Sequence, residues 1–560
     1  MGGAEDDVVH QSGARQARMS MSVGAVSVLE QPVAACENLD RLVEEVQRSC
    51  AHPVSMLQVA ALLESAGVTD GVARSRYQEP DVFALAQAVT RSYPRASLDT
   101  SAASAVHLPE ERLSDTLADY SRGLLAIVPI LLLTLTIMVY QGFARWRTGQ
   151  VVALSVAMIG SLLVTGGFVQ ALSRKGSSYL SQGYIRAAQR VVALILGVAV
   201  LAMLAVGALC VAALRLSGWL GPEDIGLMAV AYIALSLLWL AAGLLHLLKE
   251  APWFGVALGI CLGLSNLCLR ELKWTNLPDG AIMLLAAAAG LAGALAVTLL
   301  VARAALSREA AASPVGDHHV VLAPSAQLIV GLAPYFVYGL LSVVFVLSGH
   351  LGGWAGALRT EAAPLQGVAT IEIGLTVALI SYMLAGGVAE NTMRRFWQRI
   401  KLYQSGTSQA GPDAFNRALW DFFVGEQARY LIALSLCSYL VASSVLAMVQ
   451  FSAGPGVAVL PWSAETTAVF LIGQAGYFLM GIGVFSCMFM ITLSQPGRAL
   501  GALARGTAAT AAVGLAIALV LPYQYTVFSV VAGGLVFAIS ARVTLRAMLA
   551  DADHAYYASF

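Results

Sequence analysis

Apolar runs long enough to cross a bilayer follow one another almost without a break from residue 121 onward. A membrane-spanning helix needs about 20 predominantly apolar residues, and no such run occurs in residues 1–120. The chain of 560 residues is 58% hydrophobic and 12% charged, with a mean hydropathy of +0.74, which excludes an ordinary soluble protein. The sequence therefore predicts an all-α polytopic membrane protein.

Twelve spans can be placed along this region, six in each half of the membrane part. The predicted domains are an N-terminal segment 1–120, a first six-helix lobe 121–305, a linker 306–324, a second six-helix lobe 325–546 and a tail 547–560. The spans are predicted near 121–143, 150–173, 191–214, 225–248, 252–270, 280–305, 325–349, 366–389, 429–451, 466–494, 499–521 and 523–546.

The distribution of Lys and Arg predicts the orientation. If the N-terminus lies inside, the cytosolic loops and tail carry roughly 16 Lys or Arg, against about 6 in the external loops. Cytosolic loops of membrane proteins are enriched in these residues. We therefore expect a multi-pass protein of the bacterial cytoplasmic membrane. Both of its termini are expected in the cytosol.

Two long basic loops lie at matching places, each after the second span of its half. The second, beginning AENTMRRFWQRIKLYQ at residue 389, predicts an amphipathic helix in the cytosolic headgroup layer. Its charges either only set topology or guide a lipid-linked or anionic substrate. The basic residues are Arg174, Lys175, Arg186 and Arg190 in the first loop, and Arg394, Arg395, Arg399 and Lys401 in the second.

A proline interrupts the first span of each half, Pro129 in GLLAIVPILLLT and Pro334 in IVGLAPYFVYG. Proline removes a backbone hydrogen bond and bends or breaks a helix. Interrupted helices at corresponding positions of two halves are typical of a substrate path. Because six spans are an even number, the two lobes are predicted to form a parallel, pseudo-symmetric repeat.

Polar groups inside the spans are candidates for a substrate path, since charges there are costly. Glu372 is the clearest, either as a helper of proton or cation coupling or as a structural ion pair. Gln474 either bonds two helices together or lines a path. Weaker candidates are Tyr335, Tyr338, Asn266 and Gln170, and Trp253, Trp274, Trp354 and Trp462 lie at span ends and predict an interfacial belt.

Residues 1–120 carry 17 acidic and 9 basic side chains and predict a small cytosolic bundle of three or four helices, followed by a polar linker over 96–116. Gly67 is a predicted helix stop, and Thr69 and Asp81 are predicted N-caps. The alternative is a helix-turn-helix DNA-binding unit. The acidic composition opposes this alternative, because nucleic-acid binding needs a basic surface.

Signatures of enzymes, metals and cofactors are absent from the sequence. There is no GxxxxGK[ST] nucleotide cradle and no HExxH metal helix, and His318 and His319 are adjacent, which is poor spacing for metal ligands. We therefore expect no enzymatic activity, no cofactor and no metal.

The chain resembles bacterial polysaccharide exporters of the multidrug/oligosaccharidyl-lipid/polysaccharide flippase superfamily, and within them the Pel exopolysaccharide exporters. The resemblance covers about 120–550 and is carried by LLVTGGFVQALSRKGSSYLSQG, PSAQLIVGLAPYFVYGL and IEIGLTVALISYMLAGGVAENTMRRFWQRIKLYQ. It implies two six-helix lobes around a cavity that opens alternately to each side, and an acidic functional residue at Glu372. Two departures are the absence of a charged pair before His350 and the additional acidic segment 1–120.

Together these observations predict an exporter that moves a polysaccharide or lipid-linked oligosaccharide outward by alternating access. Its expected partners are the bilayer, the glycan and a cytosolic glycosyltransferase, and no nucleic acid. Two alternatives stay open: a scaffold subunit of a glycan synthase complex, and a membrane-embedded glycosyltransferase or ligase.

Overall fold

A computed structural model describes residues 35–49, 56–92, 120, 148–181, 184–272, 274, 279–312, 325–360, 364–406, 411–452 and 462–552. These residues form helices and the turns between them, so the all-α prediction is confirmed. The contacts divide the chain into two units, residues 1–98 and 99–560. The predicted first span, with Pro129, and the linker 96–116 lie outside the described residues.

The first unit contains four short helices around an apolar core of its own. Leu63, Leu85 and Val89 are among the side chains that this core buries completely or nearly so. Burial raises the pKa of the Tyr77 hydroxyl beside this core, and the Glu45 carboxylate adds to the effect while Arg76 opposes it. The helices are α1 (Ala35–Ser49), α2 (Met56–Ser65), α3 (Asp70–Tyr77) and α4 (Val82–Ser92).

The predicted helix boundaries of this unit agree with the structure, with one difference. Gly67 adopts a left-handed conformation with φ of 84° just after α2, as a helix stop requires. Asp81 caps α4, since its Oδ1 accepts a hydrogen bond of 2.8 Å from the amide of Ala84. Thr69 stands at the N-cap of α3, but its side chain makes no capping hydrogen bond.

Five long helices form the described part of the first membrane lobe. In this lobe α5 packs against α6 and α7, and α9 packs against both α7 and α8. The helices are α5 (Thr148–Ser181), α6 (Ile185–Ser217), α7 (Pro222–Leu247), α8 (Pro252–Leu272) and α9 (Asp279–Ala312).

The second lobe is built around α14 and α16, which pack against each other, with α11 and α15 on their flanks. Its helices are α10 (Ser325–Thr360), α11 (Pro364–Leu384), α12 (Gly386–Gly406), α13 (Gly411–Ser452), α14 (Ala464–Thr492), α15 (Pro496–Val520) and α16 (Phe528–Leu549), with a 3₁₀ turn at Tyr523–Val527. Eleven segments of the described chain are long and apolar enough to cross a membrane. Each overlaps one of the eleven spans predicted from 150 to 546.

The two predicted basic loops are mostly helical. Helix α5 continues to Ser181 and α6 begins at Ile185, so Arg174 and Lys175 extend one helix while Arg186 and Arg190 begin the next. The prediction of a long loop is therefore wrong here. The reason is that polar residues such as Arg, Lys and Gln are good helix formers and lengthen a span beyond its apolar part.

Helix α12, the predicted amphipathic helix, follows α11 after a single turn at Ala385. Its apolar stripe faces protein, because Phe396 and Ile400 are completely buried. The Phe396 ring lies 4.8 Å from that of Phe489 on α14 and 6.0 Å from that of Phe422 on α13. Phe396 and Ile400 of the stripe therefore pack on the second lobe, whereas Trp397 is exposed. Periodicity could not reveal these protein contacts, because a lipid surface and a protein core are both apolar.

Removing the cap of α4 should loosen the first unit. The Asp81→Ala variant loses the acceptor for the Ala84 amide, and loss of an N-cap costs about 1 kcal/mol. We expect faster hydrogen exchange of the α4 amides in the full-length protein. Asp40→Ala, which removes an equal charge from an exposed position on α1, should leave those rates unchanged; equal acceleration in both variants would contradict the cap.

Candidate functional site

Helix α10 packs into both membrane lobes and so connects them. Near its start, Leu332 belongs to the same buried cluster as Ala171 and Leu172 of α5. Toward its end, Phe345 packs against Phe537 of α16, with ring centroids 5.7 Å apart. One 36-residue helix thus runs from the core of the first lobe into the core of the second.

Helices α5 and α10 approach each other closely at a seam between the lobes, defined here by Gly166, Gly167 and Phe168 of α5 with Phe336 and Gly339 of α10. A Cβ placed on Gly339 would lie 2.5 Å from the carbonyl oxygen of Gly166. The Phe168 and Phe336 rings meet edge to face, with centroids 4.9 Å apart. Small residues allow such close backbone approach in membranes, where packing replaces the hydrophobic driving force.

Arg174 of α5 joins the seam to the second lobe. Its Nη2 donates a hydrogen bond of 2.5 Å to Oγ of Ser494, in the turn between α14 and α15. Its guanidinium also lies over the ring of Tyr335 on α10, 5.2 Å from the centroid. Of the predicted basic residues, Arg174 is therefore in contact with both lobes.

Pro334 does not end its helix, since α10 continues over Ser325–Thr360 with the proline inside it. Neighbouring helices can accommodate the backbone groups that a proline leaves unpaired. Pro334 adjoins Tyr335 and the seam, so the irregular hydrogen bonding falls where α10 passes between the lobes. The corresponding Pro129 lies outside the described residues.

Glu372 is buried on α11, with a relative exposure of 4%, and its carboxylate has two partners on α10. Its Oε1 lies 2.8 Å from Nδ1 of His350 and accepts a hydrogen bond of 2.8 Å from Nε1 of Trp354. The hydroxyl of Tyr477 on α14 lies 3.5 Å from the other ring nitrogen of His350. Three helices therefore converge on one carboxylate inside the second lobe.

A glycine face on α10 makes room for this buried cluster. Gly349, Gly352, Gly353 and Gly356 recur at helical spacing, and each faces a neighbouring element. A Cβ on Gly353 would lie 2.6 Å from Ile371, one residue before Glu372, and one on Gly352 would lie 3.4 Å from the Cα of Gly514. The close packing keeps His350 and Glu372 away from lipid and makes their pairing necessary, because an unpaired buried charge is destabilising.

The other predicted path residues separate into different places. Gln474 donates a hydrogen bond of 2.7 Å from α14 to the Ser438 carbonyl of α13, so it joins two helices. Tyr338 is buried in the second lobe with its hydroxyl close to the Cys487 thiol. Gln170 lies exposed beside Gly339 at the seam, whereas Asn266 lies on an exposed face of α8 and bonds to the Leu262 carbonyl of its own helix.

One arginine of α12 is tied to a carboxylate inside the second lobe. Nη1 of Arg395 lies 2.7 Å from Oε1 of Glu426 on α13, and Arg429 approaches the same oxygen at 3.0 Å. Thr392 donates a hydrogen bond of 3.1 Å to the other oxygen of Glu426. Arg394 and Arg399 are half-buried on the same helix, and Lys401 lies near its end. Part of this predicted basic surface therefore holds α12 to α13.

His350 and Trp354 are the residues of the Glu372 cluster that sequence reasoning did not assign. The prediction of an interfacial role for Trp354 is incomplete, because its indole turns inward to a buried carboxylate. Their spacing of four residues, which places both on one helix face, was the available signal. No group of three His, Cys, Asp or Glu that could hold a metal occurs in the described part of the chain.

Widening the seam should destabilise the protein. In Gly339→Val the new side chain meets the Gly166 backbone, and overpacking of this kind costs about 1–3 kcal/mol. We expect a lower Tm in detergent. The matched control is Gly331→Val on the same helix, where an added Cβ meets nothing within 4 Å, and its Tm should stay close to wild type. Equal Tm values for the two variants would contradict the close approach.

The Glu372 cluster should behave as one coupled unit. Glu372→Ala leaves His350 and Trp354 without their acceptor, and removal of one partner of a buried pair costs about 3–5 kcal/mol. The double variant Glu372→Ala/His350→Ala should lose less stability than the sum of the two single variants, as measured by thermal unfolding. Glu465→Ala, which removes an exposed carboxylate bonded to Tyr523, is the control with a smaller effect. Strict additivity would show that the pair is not coupled.

Comparisons with known proteins bear on the membrane unit. No family model and no curated protein matches the chain. Among solved structures, MATE in complex with MaD5 is similar with a TM-score of 0.52 and 15% identity, covering 78% of this chain and 95% of that one. A point mutant of MATE has a TM-score of 0.51 at 14% identity, covering 78% and 96%.

A third solved structure, MATE in the straight conformation, has a TM-score of 0.50 at 13% identity, covering 78% of this chain and 95% of that one. At such low identity these likenesses concern the fold alone. The comparisons leave the resemblance to Pel exporters a prediction. They show that the chain has the fold of MATE transporters, with two helical lobes in a multi-pass membrane protein.

Proposed function

We propose that the protein is a transporter that exports a polysaccharide or lipid-linked oligosaccharide across a bacterial cytoplasmic membrane by alternating access. The fold supports transport, and the sequence resemblance to polysaccharide exporters supports the glycan. The single observation that carries the proposal is the position of α10, which packs into the first lobe at Leu332 and into the second at Phe345.

Alternating access needs two bodies that can change their relative tilt while staying connected. Helix α10 supplies the connection, and the seam at Gly166 and Gly339 supplies a contact that can part. Because the contact is made by glycine backbones and two aromatic rings, opening it breaks no buried ion pair among the described residues. The energy barrier to tilting one lobe against the other then comes from packing contacts. A barrier of this kind is compatible with the microsecond-to-millisecond timescale of domain motions.

Arg174 lies toward the membrane face where α5 ends and α10 begins, and the seam at Gly166 and Gly339 continues from there into the middle of the two helices. With both termini in the cytosol, as the excess of Lys and Arg favours, this face is cytosolic. The closed seam then corresponds to a state shut toward the cytosol. A substrate made in the cytosol would have to open this end to enter.

Glu372 and His350 are our proposed site of energy coupling. When the carboxylate and the imidazole together hold one proton beyond that of a neutral imidazole, the pair has no net charge. Without that proton, the pair carries one negative charge. A net charge in the membrane interior is costly, so proton release requires that the site be wetted by a change in lobe packing. Loss and gain of one proton would thereby be tied to the transport cycle.

The first unit is proposed to dock a cytosolic glycosyltransferase, because its helices form a separate core and Phe83, half exposed on α4, is left on the surface. The same observation favours the second candidate function, a scaffold subunit of a glycan synthase complex. A scaffold and a transporter differ in one testable respect, since only a transporter needs its lobes to move.

Locking the seam should stop export. In a variant whose native cysteines are replaced, Phe168→Cys and Phe336→Cys would be joined across the seam by a short bis-methanethiosulfonate reagent. We expect loss of cell-surface glycan in the native host, measured by total carbohydrate, and recovery after a reductant cleaves the link.

The matched control joins Arg505→Cys and Thr544→Cys, neighbours on α15 and α16 within the second lobe, whose side chains are 3.4 Å apart. This link leaves the lobes free to move and should leave export unchanged. Export that continues with the seam locked would favour the scaffold. Normal surface glycan in cells lacking the protein would refute both functions.

A further inference from the structure

Arg174 differs from the paired arginines of the second lobe in the charge of its partners. Arg395 and Arg429 meet the carboxylate of Glu426, whereas Arg174 contacts a hydroxyl on Ser494 and an aromatic face on Tyr335. Both of these partners are neutral. The guanidinium is half-buried at the seam, so its charge is partly removed from water without an acid beside it among the described residues.

Ser494 is held in a conformation that serine rarely adopts. Its φ is 58°, in the left-handed region that favours glycine. Backbone hydrogen bonds from Ser494 to Ile491 and from Gln495 to Met490 close the end of α14 in this form. A side chain other than glycine is less favourable in this conformation, which commonly ends a helix and here fixes the place of Ser494 just after α14. Here the hydroxyl is used to accept from Arg174.

A phosphate would bind this guanidinium more strongly than a hydroxyl does. Hydrogen bonds between two charged groups are shorter and about twice as strong as those with a neutral partner, and arginine matches phosphate with a two-pronged geometry. A hydroxyl accepts one of the guanidinium's N–H groups, and the aromatic face takes no conventional hydrogen bond. An arriving phosphate can therefore displace Ser494.

We propose that Arg174 is an anion-binding site whose occupant in the closed state is the Ser494 hydroxyl, and that a phosphate group of the transported molecule opens this end of the seam by taking its place. This inference rests on the proposed function and assigns it a substrate class, molecules that carry a phosphate or diphosphate, such as a lipid-linked oligosaccharide. Arg174 would bind the charged end of the substrate, and release of Ser494 would free α5 from the second lobe.

The experiment measures how fast a cysteine in the buried cluster next to the seam reacts with a water-soluble maleimide. Leu332→Cys, in the full chain without native cysteines, is largely buried in the closed state and should react slowly. Inorganic pyrophosphate is the probe. We expect it to accelerate labelling of the wild-type seam in phosphatidylcholine nanodiscs, because occupation of Arg174 by phosphate favours the open form.

Three substitutions at two residues separate the contact made by Ser494 from the anion site at Arg174. Ser494→Ala removes only the competing hydroxyl, so labelling without pyrophosphate should rise and the half-effective pyrophosphate concentration should fall, on the order of tenfold for the loss of one hydrogen bond to a charged group. Ser494→Gly also relieves the left-handed strain and should respond in the same direction. Arg174→Gln should label fast and ignore pyrophosphate.

Lys175→Gln is the matched control, since it removes an adjacent cation whose ammonium lies over Tyr179 of its own helix, 5.8 Å from the centroid. It should keep the wild-type response. A second arm replaces pyrophosphate with phosphatidylglycerol in the nanodisc. A response to pyrophosphate identifies a phosphate that arrives from water, and a response to phosphatidylglycerol alone identifies a lipid headgroup; either supports the site.

The proposal is overturned if neither arm changes labelling of the wild-type seam, if pyrophosphate acts equally on Arg174→Gln, or if Ser494→Ala needs as much pyrophosphate as wild type. These readouts involve no transport. A seam that responds as expected in a protein whose loss leaves surface glycan unchanged would refute the proposed function and leave the anion site standing.

Discussion

The close approach of α5 and α10 at Gly166 and Gly339 is the contact through which the two lobes become one molecule. Moving an apolar side chain from lipid into a helix interface gains little free energy, because lipid tails are apolar too. Membrane helices therefore associate through close packing and hydrogen bonds. Glycine allows two backbones to meet where any side chain would separate them. The same device recurs along α10, where Gly352 faces Gly514 and Gly353 faces Ile371. One helix is thereby held by backbone contact at both ends.

Polar groups in the second lobe are arranged around that packing. Glu372 meets His350 and Trp354, and Glu426 meets Arg395 and Arg429. Glu372 thus has two partners, and Glu426 has a third in the Thr392 hydroxyl, because a buried charge is costly unless it is paired and hydrogen-bonded. Arg174 lies outside this arrangement, with neutral partners and a position between the lobes. That contrast separates the charges that hold a lobe together from Arg174, the proposed anion site.

The predicted and observed structures agree best where apolar length decides the outcome. Each of the eleven spans predicted from residue 150 onward overlaps a described apolar segment, since a 20-residue apolar stretch has no other stable form in a bilayer. Several helices, such as α13 from Gly411, extend well beyond the predicted bounds. Agreement fails where polar residues continue a helix. Ser177 was assigned to a loop and lies in α5. Hydropathy marks the membrane-embedded part of a helix, and helix propensity together with tertiary contacts sets its true end.

The sequence by itself determined that this chain is an all-α membrane protein with a separate helical N-terminal unit, and that Glu372 is a buried charge in need of a partner. Only the tertiary structure decided that the partners are His350 and Trp354, that the apolar stripe of α12 packs on Phe422 and Phe489, and that Arg174 reaches Ser494 across 320 positions of chain. The physical reason is range. The length of an apolar run is a property of one segment and can be read from that segment alone. The partner of a buried charge depends on which helices pack together, and those helices are far apart in the sequence.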